Sequence, residues 1–527
     1  MRRRELLKMA ASATMMSAPQ IARAEHTRVL RFVPFLQLAL LDPIWATARA
    51  THLLAYAVFD TLYGLDDTYA VHPQMAEGHD VDSTGTLWTI RLRDGLKFHD
   101  GTPVLARDVD ASLRRWGIRD GYGQALFAAI AELSCPNDRT LRFRLHKPFP
   151  HLPEALAGAS VLPPCVMPEH IAKTDPFRQI TELIGSGPYR FLHGEYSAGA
   201  FAALERFAEY RPRADGTPSY CAGPKLVHFD RLEWITMPDS ATALAALRTG
   251  EVDWLENVYP DQIPALAGHK HVKVDVLERP GSIGIMRFNH LNPPFDNAAV
   301  RRAVLGAISQ TEAMQAVAGT DKVYWHDSIG LFTPDNPLAN QAGIEVLNSP
   351  RDYSKVKHDL AAAGYQGERV VVLATAGSGF ITPLAQIGAD QLSRAGMNVD
   401  VHIMDNATMI RRRTSKAPIA EGGWSVFFAL PDGLFNANPA SNYALLGNGA
   451  AAWEGWPTSA ELERLRADWL NASTLTEQKR ICEQLQQQLW RDVPYIPMGQ
   501  VIKPTAYRHD LVDLPSGFPA FYGVRRS

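Results

Sequence analysis

The sequence predicts an α/β protein built in two parts, on two observations. A strand–helix–strand pattern occurs over residues 225–255 and again over residues 369–403, and such a unit requires parallel strand pairing. The second observation is length: 527 residues exceed what one hydrophobic core supports, so at least two domains are expected. With 46% hydrophobic and 21% charged residues, the composition is ordinary for a globular chain.

Taken in order, residues 29–33 read as a strand, residues 51–63 as a helix closing at Gly64, and residues 87–93 as an alternating strand. "GLKFHDGTPVLARDVDASLRRWG" then brings a strand into the Asp100-Gly101 turn. Pro103 and a helix follow, with Val109, Leu113 and Trp116 on one face. Nothing in this stretch resembles a catalytic set. Over residues 225–236, Val227, Phe229, Leu232 and Trp234 alternate with one slip of phase. "PDSATALAALRTGEVDWL" places Asp239 or Ser240 at a helix N-cap, Leu244 and Leu247 inward, and Gly250 just past the end. Residues 252–255 return to strand.

The second region repeats this grammar. Residues 369–374 are an apolar strand, residues 382–394 a helix ending at Gly396, and Val399, Val401 and Ile403 alternate. Between the regions, Val300, Val304 and Ile308 share a helix side. Beyond Trp424 the chain is loop-rich, and two capped helices follow, opened by Thr458 with Glu461 and by Thr474 with Glu477. Leu462, Leu465 and Trp469 face inward on the first, Ile481, Leu485 and Leu489 on the second.

"MRRRELLKMAASATMMSAPQIARAEH" has a basic start, a short apolar middle and small residues at Ala22 and Ala24, the layout of a secretory signal cleaved after Ala24. Arg3-Arg4 with Leu6-Leu7-Lys8 fits the twin-arginine export pattern. Residues 1–24 carry a net charge of +4, so the whole-chain value of −3 becomes −7 without them. That balance argues against nucleic acid and anionic membrane as partners. No apolar run reaches the roughly 18–20 residues that span a bilayer.

The search for chemistry finds no G-x-S-x-G elbow, H-E-x-x-H, Walker loop or G-x-G-x-x-G. Ser186 in Gly185-Ser186-Gly187-Pro188 reads as a turn residue, and His269 and His271 as a solvated loop, so no enzyme, metal site or cofactor is expected. Four scattered cysteines lack metal-site spacing; one bridge among Cys135, Cys165 and Cys221 and buried free thiols are equally compatible with them. Arg411, Arg412 and Arg413 are able to clamp a carboxylate, although a solvated helix end is the plainer reading. Trp424 follows two glycines, with Phe427 and Phe428 beyond, and reads as a sheet edge opening on a cleft.

"KFHDGTPVLARDV" resembles the signature K-F-H-D-G-x-P-[hydrophobic]-[TN]-A-x-D-V of the family 5 solute-binding proteins of ABC transporters. Leu105 stands where that signature has a capping Thr or Asn, at an expected local cost of about 1 kcal/mol. "LRFVPFLQLALLDP", "GSGPYRF", "LRTGEVDW", "FNHLNPPFDNAAVRRAVLGAI" and "AAAGY" are similar to further family elements, in the family's order. The resemblance implies a two-lobed periplasmic binding protein fold (type II-like, cluster C) with an extra N-terminal subdomain. Lobe I would span residues 27–287 and the returning tail 491–527, lobe II residues 288–490, with crossings near residues 287–289 and 492–497.

It further implies a small solute enclosed between lobes, delivered to an inner-membrane ABC permease by a periplasmic monomer. The ligand-facing residues it suggests are Trp424, Phe427, Phe428, Asn406, Phe35, Gln37, Arg412 and Arg413. Dipeptide-type members hold the peptide ammonium with an aspartate shortly after the G-W pair. Here that place is Phe427; Asp432 or Glu421 could substitute, although neither stands at the expected place. Asn406 follows Asp405 where some relatives have Trp. Oligopeptides or modified amino acids lead, ahead of haem, metal chelates or glutathione-like thiols. A ligand receptor without transport and a periplasmic hydrolase are the readings from other classes.

Overall fold

The computed structural model describes residues 28–527 except Ala46, residues 159–161, Phe435 and Pro519. The export segment and its cleavage point lie outside the described residues. Two large mixed sheets form the molecule, with a separate four-stranded sheet beside the first.

The first sheet is organised around Val29–Val33, which pairs in parallel with Arg231–Ile235 on one side and Trp254–Leu255 on the other. The expected strand–helix–strand unit therefore straddles the first strand. Its helix, Ser240–Thr249, starts where the Asp239 side chain accepts the Thr242 N–H and ends at Gly250, in the left-handed region at φ +86°. Outward on one flank lie Thr505–Arg508 and then Val272–Asp275; on the other lie Phe201–Arg206 and Tyr189–Phe191. The four-stranded sheet, Ala76–Val81, Leu87–Leu92, Thr140–Leu145 and Ile130–Asn137, is antiparallel throughout. Helix Ala106–Arg119 buries Val109, Leu113 and Trp116.

The second sheet runs in the order Trp325–His326, Tyr495–Val501, Ser282–Phe288, Val426–Ala429, Arg369–Thr375, Asn398–Met404. The chain thus passes between sheets after Asp275 and before Ser282, and returns after Val501 and before Thr505. Both crossings lie outside the expected positions. Ser282–Phe288 is buried along its whole length and so shows no alternation. Pro497 argues against a strand, yet the register slips beside it, between Gly284 and Ile285, and the irregularity absorbs the missing N–H.

Other local expectations also shift. The helix expected over residues 51–63 is Arg49–Val58, and Tyr63–Leu65 is a short strand paired with Val71–Pro73. Lys225 belongs to no strand; its ammonium is buried 2.8 Å from Asp60. Ser459, not Thr458, caps Ala460–Asn471 by accepting the Leu462 N–H at 3.1 Å, whereas Thr474 caps the next helix as expected. All four cysteines are free thiols, so no bridge joins Cys135, Cys165 and Cys221.

Two of the motifs dock on each other. His99, from K-F-H-D-G, is buried against the Gly185-Ser186-Gly187 turn: the Gly185 N–H donates to Nδ1 at 3.2 Å and Nε2 meets the Gly187 carbonyl at 3.0 Å. A Cβ on Gly185 would lie 1.9 Å from the Val58 carbonyl oxygen, which only glycine tolerates. The Ser186 hydroxyl accepts the Asp60 N–H and donates to the Val166 carbonyl, both at 3.1 Å. Both motifs are scaffold: they clamp the end of helix Arg49–Val58 to the smaller sheet's neighbourhood.

Candidate functional site

The site is built where the two parts of the chain face each other. A cavity of about 360 Å³ is lined by Thr47, Arg119 and Asp120 from the first part and by Lys416, Tyr443, Trp453 and Trp456 from the second. Its size falls within the range of small-molecule sites. Arg119 and Asp120 arrive at the junction of helices Ala106–Arg119 and Gly121–Ala129, with the Asp120 carboxylate accepting the N–H groups of Tyr122 and Gly123.

The opposite wall is a loop held from behind by Arg287. This fully buried guanidinium donates to the carbonyls of Glu454 at 2.9 Å, Ala444 at 2.7 Å and Trp453 at 3.0 Å. Burial pushes its pKa down to about 9, an unusual condition that the carbonyl cage makes tolerable. Gly455, at φ +102°, lets the backbone run under the Phe288 carbonyl, where a Cβ would come within 2.3 Å. Trp456 follows at φ +48°, a strained value for a bulky residue. Strain at a cavity wall fits a side chain whose direction matters.

Behind that wall lies an aromatic layer. The Phe427 ring meets Trp453 edge-on at 5.0 Å, Trp424 lies 5.3 Å from Phe427 and 5.9 Å from Trp456, and the Arg413 guanidinium covers both Phe427 and Trp453. Arg413 Nε lies 3.3 Å from a Glu454 carboxylate oxygen. Trp424 is fully buried, its Nε1 donating to the Ser415 carbonyl at 3.2 Å.

The residues singled out from sequence are therefore dispersed. Trp424, Phe427 and Arg413 stand one layer behind the cavity. Phe428 points to the other face of its strand, because neighbouring strand residues alternate, and touches the space beside Gly388 and Met286. Arg412 turns to the far edge, where it bonds His402 at 2.6 Å, and Asn406 is exposed at the start of Asn406–Arg413. Phe35 packs edge-on against Tyr259 and tilted against Phe380, across the two parts of the chain. Gln37 is exposed beside Gly199. Arg119, Lys416, Tyr443, Trp453 and Trp456 line the cavity without being among the residues expected from sequence.

A second contact joins the two parts. Arg49, nearly buried, pairs with Glu256, with Glu278 at 2.6 Å and with Asp432 at 3.2 Å. Lys503 lies 3.7 Å from Asp432, and the Ser282 hydroxyl donates to the same carboxylate at 2.9 Å. Burial opposes ionisation of Asp432, but Arg49 and Lys503 hold its carboxyl below the ordinary value; for Glu278 burial prevails and the pKa rises. Asp432 is thus engaged inside the protein by Arg49, Lys503 and Ser282.

Among the described residues no cluster of histidine, cysteine or carboxylate side chains could hold a metal ion, and no helix is long and apolar enough to cross a membrane. Comparison with known proteins gives a consistent result. Residues 70–444 match the model "Bacterial extracellular solute-binding proteins, family 5 Middle". A probable peptide ABC transporter periplasmic-binding protein, y4tO of Sinorhizobium fredii, is 33% identical over the whole of this chain and 99% of its own. The glutathione-binding protein GsiB of Pectobacterium atrosepticum is 26% identical over 86% of this chain and 85% of its own. The periplasmic binding protein DppA of Helicobacter pylori, solved with the peptide STSA, superimposes with a TM-score of 0.78 at 19% identity, over 94% of this chain and 98% of that one. The two-lobed architecture, the model match and the end-to-end relative together establish that the chain belongs to family 5 of the bacterial extracellular solute-binding proteins.

Proposed function

We propose that this protein captures a peptide-like solute between its lobes in the periplasm and presents it to the inner-membrane permease of an ABC importer. The observation that carries the reading is the cavity lined from both lobes, with tryptophans on one wall and charged side chains from each lobe. The names of the relatives support the solute class. Lobe I takes the first sheet, the four-stranded sheet and the last strands; lobe II takes residues 282–501. Export through the Arg3-Arg4 signal and action as a monomer complete the picture.

Phe427 fills the place of the ammonium-binding aspartate, which favours solutes without a free α-ammonium, such as acylated peptides or modified amino acids. The hydrolase reading loses its serine, because both hydrogen bonds of the Ser186 hydroxyl go to backbone. The test is solution scattering with thermal melting, before and after adding an N-acetylated casein digest. A bound solute raises the melting temperature, because it binds only the folded state, and closure lowers the radius of gyration. Binding with no compaction would overturn the two-lobed clamp.

A further inference from the structure

We infer that the cavity takes an anionic solute, whose carboxylate sits between Arg119 of lobe I and Lys416 of lobe II. The inference rests on the cavity being the solute site.

The Arg119 guanidinium lies 5.1 Å over the Trp45 ring and 5.2 Å over the Phe177 ring. The rings fix its position while leaving its N–H groups unengaged, since stacking uses the faces and not the edge. The Lys416 ammonium lies 5.1 Å over Trp456, on the opposite wall. Among the described residues, neither cation pairs with a carboxylate or donates a hydrogen bond. Other inward-facing cations are partnered, by carboxylates at Arg115 (Asp42), Lys225 (Asp60) and Arg49, and by carbonyls at Arg287.

The cavity's own carboxylates are committed. Asp120 accepts two backbone N–H groups at 2.9 Å, and Glu454 faces Arg413. Two cations from opposing lobes therefore line one cleft, neither paired with the carboxylates that share it. Like charges brought together on closure repel, and a carboxylate between them turns that repulsion into attraction. The solute's charge then drives closure, and its apolar body rests on Trp453 and Trp456.

The probe is an N-acetylated casein digest divided in two, one half otherwise native and the other with its carboxyls methyl-esterified. Each half is incubated with the protein, and peptides retained through gel filtration are identified by mass spectrometry. Retention from the native half and not from the esterified half is the expected result. In the double variant Arg119→Gln/Lys416→Gln, affinity for the retained native peptides falls at least about tenfold, while Lys479→Gln leaves it unchanged and melting temperatures stay alike. Equal retention from both halves, or wild-type affinity in the double variant, overturns the anion site and leaves solute binding standing. Retention from neither half overturns the peptide reading and the anion site together.

Discussion

Acidification should weaken the native state through His99. The perturbation is a move from pH 7 to pH 4 in the wild type and in His99→Gln. In the native state Nδ1 accepts from the Gly185 N–H and Nε2 donates to the Gly187 carbonyl, so the ring is neutral with its proton on Nε2. A second proton would set a donor against a donor, in a site edged by the Phe207 ring at 5.0 Å. Burial accordingly lowers the pKa from 6.5 to about 4, with Arg190 adding to the effect. Because the folded value lies below the unfolded one, the unfolded chain binds the proton more readily. Stability is complete above pH 6.5 and falls as the pH drops towards 4. At about 1.4 kcal/mol per pH unit, the window is worth on the order of 3 kcal/mol. Other buried histidines add their own slopes, so the informative quantity is the difference between the two proteins. Urea unfolding followed by circular dichroism measures it. The stability advantage of the wild type over His99→Gln should shrink by about 3 kcal/mol between pH 7 and pH 4. An advantage that is constant or larger at pH 4 would refute the neutral, doubly bonded ring.

Trp424→Ala should cost about 3–5 kcal/mol of folding stability, because a fully buried indole leaves a cavity; Trp453→Ala should instead weaken binding of retained peptides by roughly tenfold to a hundredfold. Calorimetry and denaturation on both variants check this, and a stable Trp424→Ala with lost affinity would move Trp424 into the cavity. Leu105→Thr should raise stability by about 1 kcal/mol, since the Leu105 side chain offers no acceptor to the first turn of Ala106–Arg119, although its N–H donates to the Asp108 carboxylate; an unchanged denaturation midpoint counts against it. Asp432→Asn should lower stability by on the order of 1–3 kcal/mol through the weakened Lys503 and Ser282 contacts, Arg49 keeping Glu256 and Glu278; an affinity loss at unchanged stability would make Asp432 a ligand anchor instead.

How much of this was legible in the sequence depended on the periodicity of each element. The helix Ser240–Thr249 announced its cap, inward leucines and terminal glycine, because all three are local. Ser282–Phe288 and Tyr495–Val501, which settle where the chain changes lobes, did not: strands buried on both faces lose alternation, and Pro497 is accommodated only by a register slip in its partner. Val401 and Ile403 do alternate, yet they lie on an edge strand with 40% and 54% of their surface exposed, so period alone did not say which face is covered. For the cavity, the residues that the resemblance suggested, Trp424 and Phe427, lie just before and within the strand Val426–Ala429, behind the wall, and not in the loop that forms it. Trp424 and Phe427 are conspicuous beside two glycines, whereas Trp453 and Trp456 owe their position to Arg287, a residue more than 160 positions away whose carbonyl bonds no local pattern reveals. Arg119 reads as an ordinary helix end until its lobe meets the other.

The strand order of the first sheet bears on how the chain matures. Thr505–Arg508 sits between Trp254–Leu255 and Val272–Asp275, bonded to both. Until those residues have been synthesised, the first sheet has a gap one strand in from its edge, with two unsatisfied strand edges, a standing template for wrong pairing. Lobe II has no such debt after Val501. Synthesis therefore ends with lobe II complete and lobe I waiting for its keystone, so a chain cut short before residue 505 is left with open edges that favour self-association over a soluble half-protein.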